Sequence, residues 1–339
     1  MSTTTRIFLT GATGYIGGDI LYALRSAHPE YAVSVLVRDE AKAAVISKTY
    51  SDVRVVLGDL DSTSLIEEEA SQSDVIIHAA SSKHIESVQA IAKGLERRNK
   101  SSPAHWIQVS GASVLSTADI VQSRYGEGSA DVFSDVDGVE VVREIIRQNA
   151  KTRVVDDFIL RISGPKIALV FPPIIYGRGR GPVNQRSVQI PELARLAIET
   201  GGAIQVGKGE STWSNSYITD VSDIFVKLVE KAVAGDTEGL WNQDGIYFTG
   251  SSPLSFGKIS EKVAEEAKRL GLIELTAVKQ LSHEEADKLS GHAAVLWGTN
   301  AQQNSQRARQ LLQWEPKGKT LEDEIAETVR VEAVRLGKL

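Results

Sequence analysis

Three glycines spaced three residues apart follow a short apolar run near the start of the chain and precede a helical stretch. In such a turn one glycine adopts a backbone conformation closed to other residues, one lets the chain approach a pyrophosphate, and one lets the helix pack against the strand. The N-terminus of the following helix offers N–H groups and a partial positive charge to phosphates. This spacing predicts a dinucleotide site that includes Gly11, Thr13, Gly14, Tyr15, Ile16 and Gly17.

The residue that ends the second apolar run indicates which dinucleotide is bound. The run at 33–37 ends at Arg38, where an NAD-binding protein usually carries Asp or Glu to accept hydrogen bonds from the ribose 2′-hydroxyl. A guanidinium instead binds a 2′-phosphate through charge-assisted hydrogen bonds. The alternative is that Arg38 is a solvated residue at a strand end. The sequence therefore favours NADP(H) over NAD(H).

Composition narrows the class of protein. The chain has 339 residues, of which 42% are apolar and 24% charged, and a net charge of −6 argues against a nucleic-acid partner. It has no cysteine, and its six histidines lack metal-ligand spacing, so we expect no metal site. No apolar run has membrane-spanning length. These features predict a soluble cytoplasmic protein that acts on a small molecule.

The order of the predicted elements indicates the fold. Five apolar strand-like runs alternate with helical stretches before residue 110, and a sixth lies at 166–171. Short, continuously apolar strands are typical of a parallel sheet covered by helices on both faces. Residues 116–150 are irregular and acidic and predict a surface insertion that ends in a helix. The sequence therefore predicts an α/β protein with a Rossmann-type doubly wound parallel sheet.

Further segments carry a resemblance to a known family. The glycine turn, Gly58-Asp59-Leu60, His78-Ala79-Ala80-Ser81 and the segments 172–177, 215–221 and 304–316 resemble the extended short-chain dehydrogenase/reductase family. That family contains sugar-nucleotide epimerases, dehydratases and many carbonyl reductases, and the resemblance runs nearly end to end. The additional cofactor-binding residues that it implies are Asp59, Leu60, Ala79, Ala80, Ser81, Ser110, Pro173 and Ile175.

The resemblance also implies a domain organisation. A cofactor-binding domain would comprise 1–177 and a return segment at 217–250, and a smaller C-terminal substrate-binding domain would comprise 178–216 and 251–339. Members of the family often pair through two helices, one of which corresponds to the helix near Arg153. A homodimer is therefore a further expectation.

The chain departs from the family where its proton donor should lie. Members usually carry Tyr-x-x-x-Lys on the helix after the fifth strand, and the tyrosine exchanges a proton with the substrate oxygen. Here Arg153 and Asp157 occupy those two positions, within an alignment uncertainty of about one residue. The usual Ser or Thr after the fifth strand is replaced by Gly111, with Ser110 and Ser113 on either side. The helix is retained, but the tyrosine that serves as the proton donor is missing.

Other residues could supply the proton and the substrate site. Tyr176, which follows the sixth strand, and Ser110 are the candidate proton donors, although a buried structural tyrosine is an equally simple interpretation of Tyr176. The glycine-rich basic loop at 177–187 could close over an anionic substrate or could be a solvated connection. The alternating side chains of Trp213, Asn215 and Tyr217 beside this loop could line an aromatic pocket, or they could be ordinary packing residues. The predicted substrate residues are Ser113, Gln185, Arg186, Trp213, Asn215 and Tyr217.

Three hypotheses for function follow from this pattern. The first is an atypical NADP(H)-dependent oxidoreductase that acts on a small organic carbonyl or alcohol. The second is an isomerase or lyase that keeps the cofactor without net redox change, and the third is an NADP(H)-sensing binding protein without catalysis. The sequence does not identify the substrate.

Overall fold

The computed structural model describes residues 4–99, 102–236 and 238–339. The strands, in chain order, are β1 (Arg6–Thr10), β2 (Ala32–Val37), β3 (Arg54–Leu57), β4 (Val75–His78), β5 (His105–Val109), β6 (Val132–Ser134), β7 (Lys166–Phe171), β8 (Ile174–Tyr176), β9 (Ile204–Val206), β10 (Thr212–Tyr217), β11 (Ile246–Phe248), β12 (Ser252–Ser255), β13 (Lys279–Leu281) and β14 (Gln302–Asn304).

The helices cover most of the remaining chain. They are α1 (Tyr15–Ala27), α2 (Glu40–Thr49), α3 (Thr63–Gln72), α4 (Ile85–Glu96), α5 (Thr117–Gln122), α6 (Val139–Gln148), α7 (Val154–Arg161), α8 (Gln189–Thr200), α9 (Ile218–Ala234), α10 (Phe256–Arg269), α11 (His283–Leu289), α12 (Ala293–Gly298), α13 (Arg307–Leu312) and α14 (Leu321–Arg335). Among the described residues, no helix is long and apolar enough to cross a membrane.

The central sheet confirms the predicted fold class. Within the described ranges, seven strands pair in parallel in the order β11-β7-β5-β4-β1-β2-β3. The chain proceeds outward from β1 through β2 to β3, and then returns to the other side of β1 with β4. The strand order therefore reverses between β1 and β4, and open α/β sheets bind ligands at the carboxyl ends of strands beside such a reversal.

The period of two along the strands creates a hydrophobic core on each face of this sheet. In β1, Phe8 packs into one core while Ile7 and Leu9 pack into the other. Trp106 and Ile107 divide in the same way on β5. Because consecutive side chains point to opposite faces, an uninterrupted apolar run covers both faces at once.

Smaller sheets join the C-terminal segments to the central body. Strand β10 pairs with β8 in parallel and with β12 in antiparallel fashion, and the described residues also form the pairs β13-β9 and β14-β6. The predicted domain boundaries remain a prediction. Strand β8 precedes the boundary at 177 and pairs with β10, which lies beyond it.

The acidic segment 116–150 is more ordered than its composition predicted. It contains α5, β6 and α6, and its residue Asp135 is fully buried. The Asp135 carboxylate accepts hydrogen bonds from the backbone N–H groups of Phe248 at 3.0 Å, Gln306 at 2.8 Å and Arg307 at 3.0 Å. Asp135 thus ties the segment to β11 and α13. The predicted helix at its end is confirmed by α6, and the predicted irregularity is wrong because α5 and β6 precede that helix.

The basic loop at 177–187 is also fixed rather than flexible. The Arg180 guanidinium lies 2.6 Å from the carboxylate of Asp19, a fully buried residue of α1. Ser222 of α9 donates a hydrogen bond of 2.6 Å to the same carboxylate. Tyr15 donates a hydrogen bond of 2.7 Å to the Gly177 carbonyl. These bonds hold the loop against α1 and α9.

We expect Asp19→Ala to lower the free energy of unfolding by about 2–4 kcal/mol, since it leaves the Arg180 guanidinium and the Ser222 hydroxyl without their shared buried acceptor. Chemical denaturation would measure this change. The matched control is Asp236→Ala, which breaks a surface pair with Lys231 at 2.9 Å and should cost less than about 1 kcal/mol. Equal effects of the two substitutions would contradict the structural role of the Asp19 pair.

Candidate active site

Two of the three glycines in the turn between β1 and α1 are required by the packing of the protein itself. Gly11 has φ of +84°, and a Cβ there would lie 2.6 Å from the Ala79 backbone. A Cβ on Gly17 would lie 2.2 Å from the Gly11 carbonyl oxygen. At Gly14 the nearest atom would be 3.2 Å away, and this residue lines an open cavity. Space at Gly14 is therefore left mainly for a ligand.

The start of α1 presents backbone donors to that cavity. Gly14 caps the helix without a side-chain hydrogen bond, and Gly18 donates to the Gly14 carbonyl at 2.9 Å as the first helical bond. The N–H groups before Gly18 therefore have no acceptor within the helix. Such a helix N-terminus attracts phosphate.

The cavity has a volume of about 430 Å³ and lies at the carboxyl ends of β1 to β4. It brings together eight of the predicted cofactor-binding residues, namely Gly11, Thr13, Gly14, Arg38, Asp59, Leu60, Ala79 and Ala80. Sequence reasoning missed Asp39, Lys42, Asp61 and His84, which also line it. Lys42 was detectable in principle, because it lies one helical turn after Arg38.

Positive charge is concentrated on one wall of the cavity. Arg38 and Lys42 are both exposed, and within the part of the chain that the structure describes neither side chain forms an ion pair. The intervening Asp39 carboxylate accepts a hydrogen bond of 2.8 Å from the Lys42 backbone N–H and so caps α2. Asp59 accepts a hydrogen bond from the Ser62 hydroxyl at 2.8 Å, which lowers the pKa of the Asp59 carboxyl.

The remaining predicted cofactor residues lie outside this cavity. The Tyr15 hydroxyl is bound to the loop and burial raises its pKa, while Ile16 packs against a core. The Ser81 hydroxyl accepts a hydrogen bond of 3.1 Å from the Lys83 N–H. Three others continue along the same sheet edge, after β5 and β7, and they are Ser110, Pro173 and Ile175.

Ser110 lies beside a buried acid that the sequence analysis missed. Asp156, on the buried face of α7, is 1% exposed. Burial raises the pKa of its carboxyl to about 6, although the nearby Ser110 hydroxyl and the Arg153 charge both lower it. Among the described residues, neither Asp156 Oδ1 nor Ser110 Oγ has a hydrogen-bond partner. The alignment that places Asp157 at the family's lysine position is uncertain by about one residue. That uncertainty is the only indication in the sequence that the neighbouring Asp156 could matter.

Arg153 completes this group of side chains. It precedes α7 and donates a hydrogen bond of 3.0 Å from Nη2 to the Ser113 hydroxyl. Burial lowers the pKa of the Arg153 guanidinium. The structure therefore brings Ser110, Ser113, Arg153 and Asp156 together, and we call these four residues the acid cluster.

Two residues that the sequence analysis considered as functional groups lie elsewhere. Asp157 accepts hydrogen bonds from Arg161, one turn further along α7, and does not join the acid cluster. Tyr176 is 2% exposed, and its hydroxyl donates a hydrogen bond of 2.8 Å to the Lys319 carbonyl. Burial raises the pKa of the Tyr176 phenol well above its ordinary value. These contacts favour the structural interpretation of Tyr176 over the role of proton donor.

The predicted substrate residues after 177 are engaged within the protein. Gln185 bonds to Arg178 and to the Gly181 carbonyl, both at 2.9 Å. Arg186 forms ion pairs with Glu332 and Glu192, both at 2.7 Å. These hydrogen bonds and ion pairs hold the loop in place and favour its interpretation as a structural connection.

The predicted aromatic pocket is not formed by β10. Trp213 is buried and donates a hydrogen bond of 2.8 Å to the Thr299 carbonyl. Asn215 is also buried and accepts from Ser252 at 3.2 Å. Tyr217 packs edge-on against Tyr176 with ring centroids 5.5 Å apart. These side chains pack rather than line a pocket, and among the predicted substrate residues only Ser113 belongs to the acid cluster.

Over the ranges 4–99, 102–236 and 238–339, no group of three or more His, Asp or Glu side chains could hold a metal ion.

Comparison with known sequences identifies relatives. Residues 3–97 match the model of the NmrA-like family. The chain is 38% identical to the oxidase ucsJ of Acremonium sp. over 345 residues, and the match covers 98% of this chain and 99% of that protein. It is 26% identical to an uncharacterized protein of Schizosaccharomyces pombe over 335 residues, covering 95% of this chain and 98% of that protein.

Solved structures share the fold at low sequence identity. The dTDP-glucose 4,6-dehydratase of Streptomyces venezuelae, with NAD and TYD bound, is similar with a TM-score of 0.68 and 16% identity over 98% of both chains. The UDP-glucuronic acid 4-epimerase of Bacillus cereus, in complex with UDP-glucuronic acid and NAD, is similar with a TM-score of 0.63 and 17% identity, covering 98% of this chain and all of that one (100%). The chain therefore belongs to the same family as the oxidase ucsJ, its N-terminal part matches the NmrA-like family, and its fold is that of the dehydratase and epimerase structures.

Proposed function

We propose that the protein is an NADP(H)-dependent oxidoreductase that acts on a small organic carbonyl or alcohol. The observation that carries this proposal is the cavity wall on which Arg38 and Lys42 lack ion-pair partners among the described residues, next to a glycine turn and a helix N-terminus. The similar protein from Acremonium sp. is named an oxidase, and the similar dehydratase and epimerase structures contain NAD. These names support a nicotinamide dinucleotide as the ligand class.

The residues present fit such a cofactor. The N–H groups at the start of α1 and the space above Gly14 would hold the pyrophosphate. Asp59 and Leu60 would hold the adenosine, as the family resemblance implies, and Arg38 with Lys42 would hold a 2′-phosphate. A bound nicotinamide dinucleotide supplies two-electron oxidation or reduction chemistry.

Two features favour this proposal over its alternatives. An NAD(H) site usually offers a carboxylate to the ribose hydroxyls, whereas here Asp39, which caps α2 through the Lys42 N–H, is flanked on the cavity wall by the cations of Arg38 and Lys42. A sensor without catalysis needs only the cavity. The acid cluster at the end of β5, the strand next to β4, favours an enzyme because Asp156 Oδ1 and Ser110 Oγ lack hydrogen-bond partners among the described residues.

We expect Arg38→Ala to weaken NADPH binding about tenfold or more, and Lys42→Ala to weaken it in the same direction, because charge-assisted hydrogen bonds contribute about 1.5–3 kcal/mol. NADH binding should change little. Fluorescence titration of both cofactors would measure these affinities, with Lys48→Ala as the control, an exposed lysine of α2 that does not line the cavity. Wild-type protein that binds NADH as tightly as NADPH would refute the assignment.

The glycine turn provides a second test. Gly14→Val should leave the protein folded, because Gly14 has an extended backbone and a Cβ there meets its nearest atom at 3.2 Å, while the branched side chain occupies the space for the pyrophosphate. Gly17→Val should instead lower the melting temperature, because its Cβ would lie 2.2 Å from a carbonyl oxygen. Circular dichroism and NADPH fluorescence separate the two effects. A folded Gly14→Val variant that binds NADPH normally would exclude a pyrophosphate at this turn.

A further inference from the structure

The acid cluster lies on the same sheet edge as the cavity but at its far side from Arg38. Ser110 directly follows β5, and β5 pairs with β4, after which Ala79 and Ala80 line the cavity. Arg38 follows β2, on the other side of β1. A dinucleotide that lies across the strand reversal with its adenosine at Arg38 would therefore direct its other end toward β4 and β5.

Two polar atoms in the acid cluster are buried without partners. Within the described residues, Asp156 Oδ1 and Ser110 Oγ have no partner at good hydrogen-bond geometry, although each residue is at most 5% exposed and the Ser110 hydroxyl lies near enough to the Asp156 carboxyl to lower its pKa. Buried polar groups in folded proteins are usually hydrogen-bonded, and the exceptions call for a specific explanation. Two adjacent exceptions, one acid and one hydroxyl, are suited to proton exchange rather than to stability.

Arg153 differs from other arginines that are partly buried in this chain. Arg98, Arg180 and Arg186 each form an ion pair with a carboxylate. For Arg153, no carboxylate oxygen of the described residues lies within 4.0 Å, and Nη2 donates to the Ser113 hydroxyl instead. Its remaining donors are therefore available to an oxygen atom from outside the protein.

The environment of Asp156 sets its protonation. The groups that act on it are Ser110 from the end of β5 and Arg153 from the start of its own helix. With its pKa raised to about 6 by burial, the carboxyl exchanges its proton close to neutral pH, where an ordinary aspartate is fully ionised. The neighbouring arginine charge favours the carboxylate that remains after the proton has left.

Resting on the proposed function, we propose that Ser110 and Asp156 form the proton-transfer pair of this enzyme, and that Arg153 and Ser113 hold the oxygen of a carbonyl or alcohol substrate. In carbonyl reduction, the substrate carbon gains a hydrogen with two electrons, supplied by the reduced nicotinamide cofactor. The substrate oxygen gains a proton from Ser110 Oγ. Ser110 takes the proton of Asp156, a carboxylate remains beside Arg153, and water later returns the proton. Oxidation of an alcohol runs the same transfers in reverse.

The pair can be tested without a substrate, because the two redox forms of the cofactor differ in charge at the nicotinamide ring. Ionised Asp156 attracts the cationic ring of NADP⁺, and protonated Asp156 does not. The affinity for NADP⁺ relative to NADPH should therefore rise about tenfold from about pH 4 to about pH 8, mostly between about pH 5 and 6, because a tenfold preference lowers the pKa of Asp156 by about one unit from its value of about 6 when NADP⁺ binds. The 2′-phosphate is common to both forms and cancels in this ratio. Calorimetric titration of each cofactor over this range measures it.

Matched variants separate this role from a purely structural one. In Asp156→Asn the affinity ratio should become independent of pH, whereas Asp157→Asn, which alters the adjacent residue paired with Arg161, should keep the wild-type profile. If Asp156→Asn does not fold, wild-type protein alone gives the answer. NADP⁺ binding near the midpoint should release protons, which calorimetry in two buffers of different ionisation enthalpy detects.

The outcomes distinguish the two proposals. If both cofactors bind but their affinity ratio does not change with pH, or changes equally in Asp156→Asn, the proton-transfer pair is excluded while the proposed cofactor stands. If neither cofactor binds to wild-type protein at any pH, the proposed function fails, and the proton-transfer pair fails with it.

Discussion

The packing of Gly11 against the end of β4 is the constraint on which the rest of the site depends. Its φ of +84° turns the chain sharply after β1, and its missing side chain lets the Ala79 backbone approach to a distance that a Cβ would forbid. Gly17 then packs on Gly11, so α1 begins directly above the strand reversal. The buried Asp19–Arg180 pair fixes the same helix to the loop after β8. One backbone contact thereby positions a helix N-terminus where a phosphate can reach it.

Charge pairing distinguishes the two ends of the site from the rest of the molecule. The chain carries a net charge of −6, and many of its arginines are matched by nearby carboxylates. At one end of the site Arg38 and Lys42 have no ion pair among the described residues, and at the other Arg153 binds a hydroxyl instead of a carboxylate. The positive charges at these positions are not paired with carboxylates of the described residues. They are therefore suited to bind an external anion or a polar substrate.

The sequence predicts the central sheet well because an apolar strand buried on both faces is a local pattern, and the turn at Gly11 is also local. It predicts less well what depends on distant partners. The loop at 177–187 has a flexible composition, but its rigidity comes from Asp19 in α1 and Glu332 in α14. The surroundings of the candidate proton donors are hard to predict for a related reason. The position of Asp156 on the buried face of α7, and the bond from Tyr176 to the Lys319 carbonyl, are set by packing between elements far apart in the chain.

A crystal structure with NADP⁺ bound would show whether one dinucleotide spans from the Arg38 wall to the acid cluster. We expect the 2′-phosphate within hydrogen-bond distance of Arg38 and Lys42, the pyrophosphate at the start of α1, and the nicotinamide ring beside Ser110 and Ser113. A 2′-phosphate far from Arg38 or a nicotinamide ring directed away from Asp156 would contradict it.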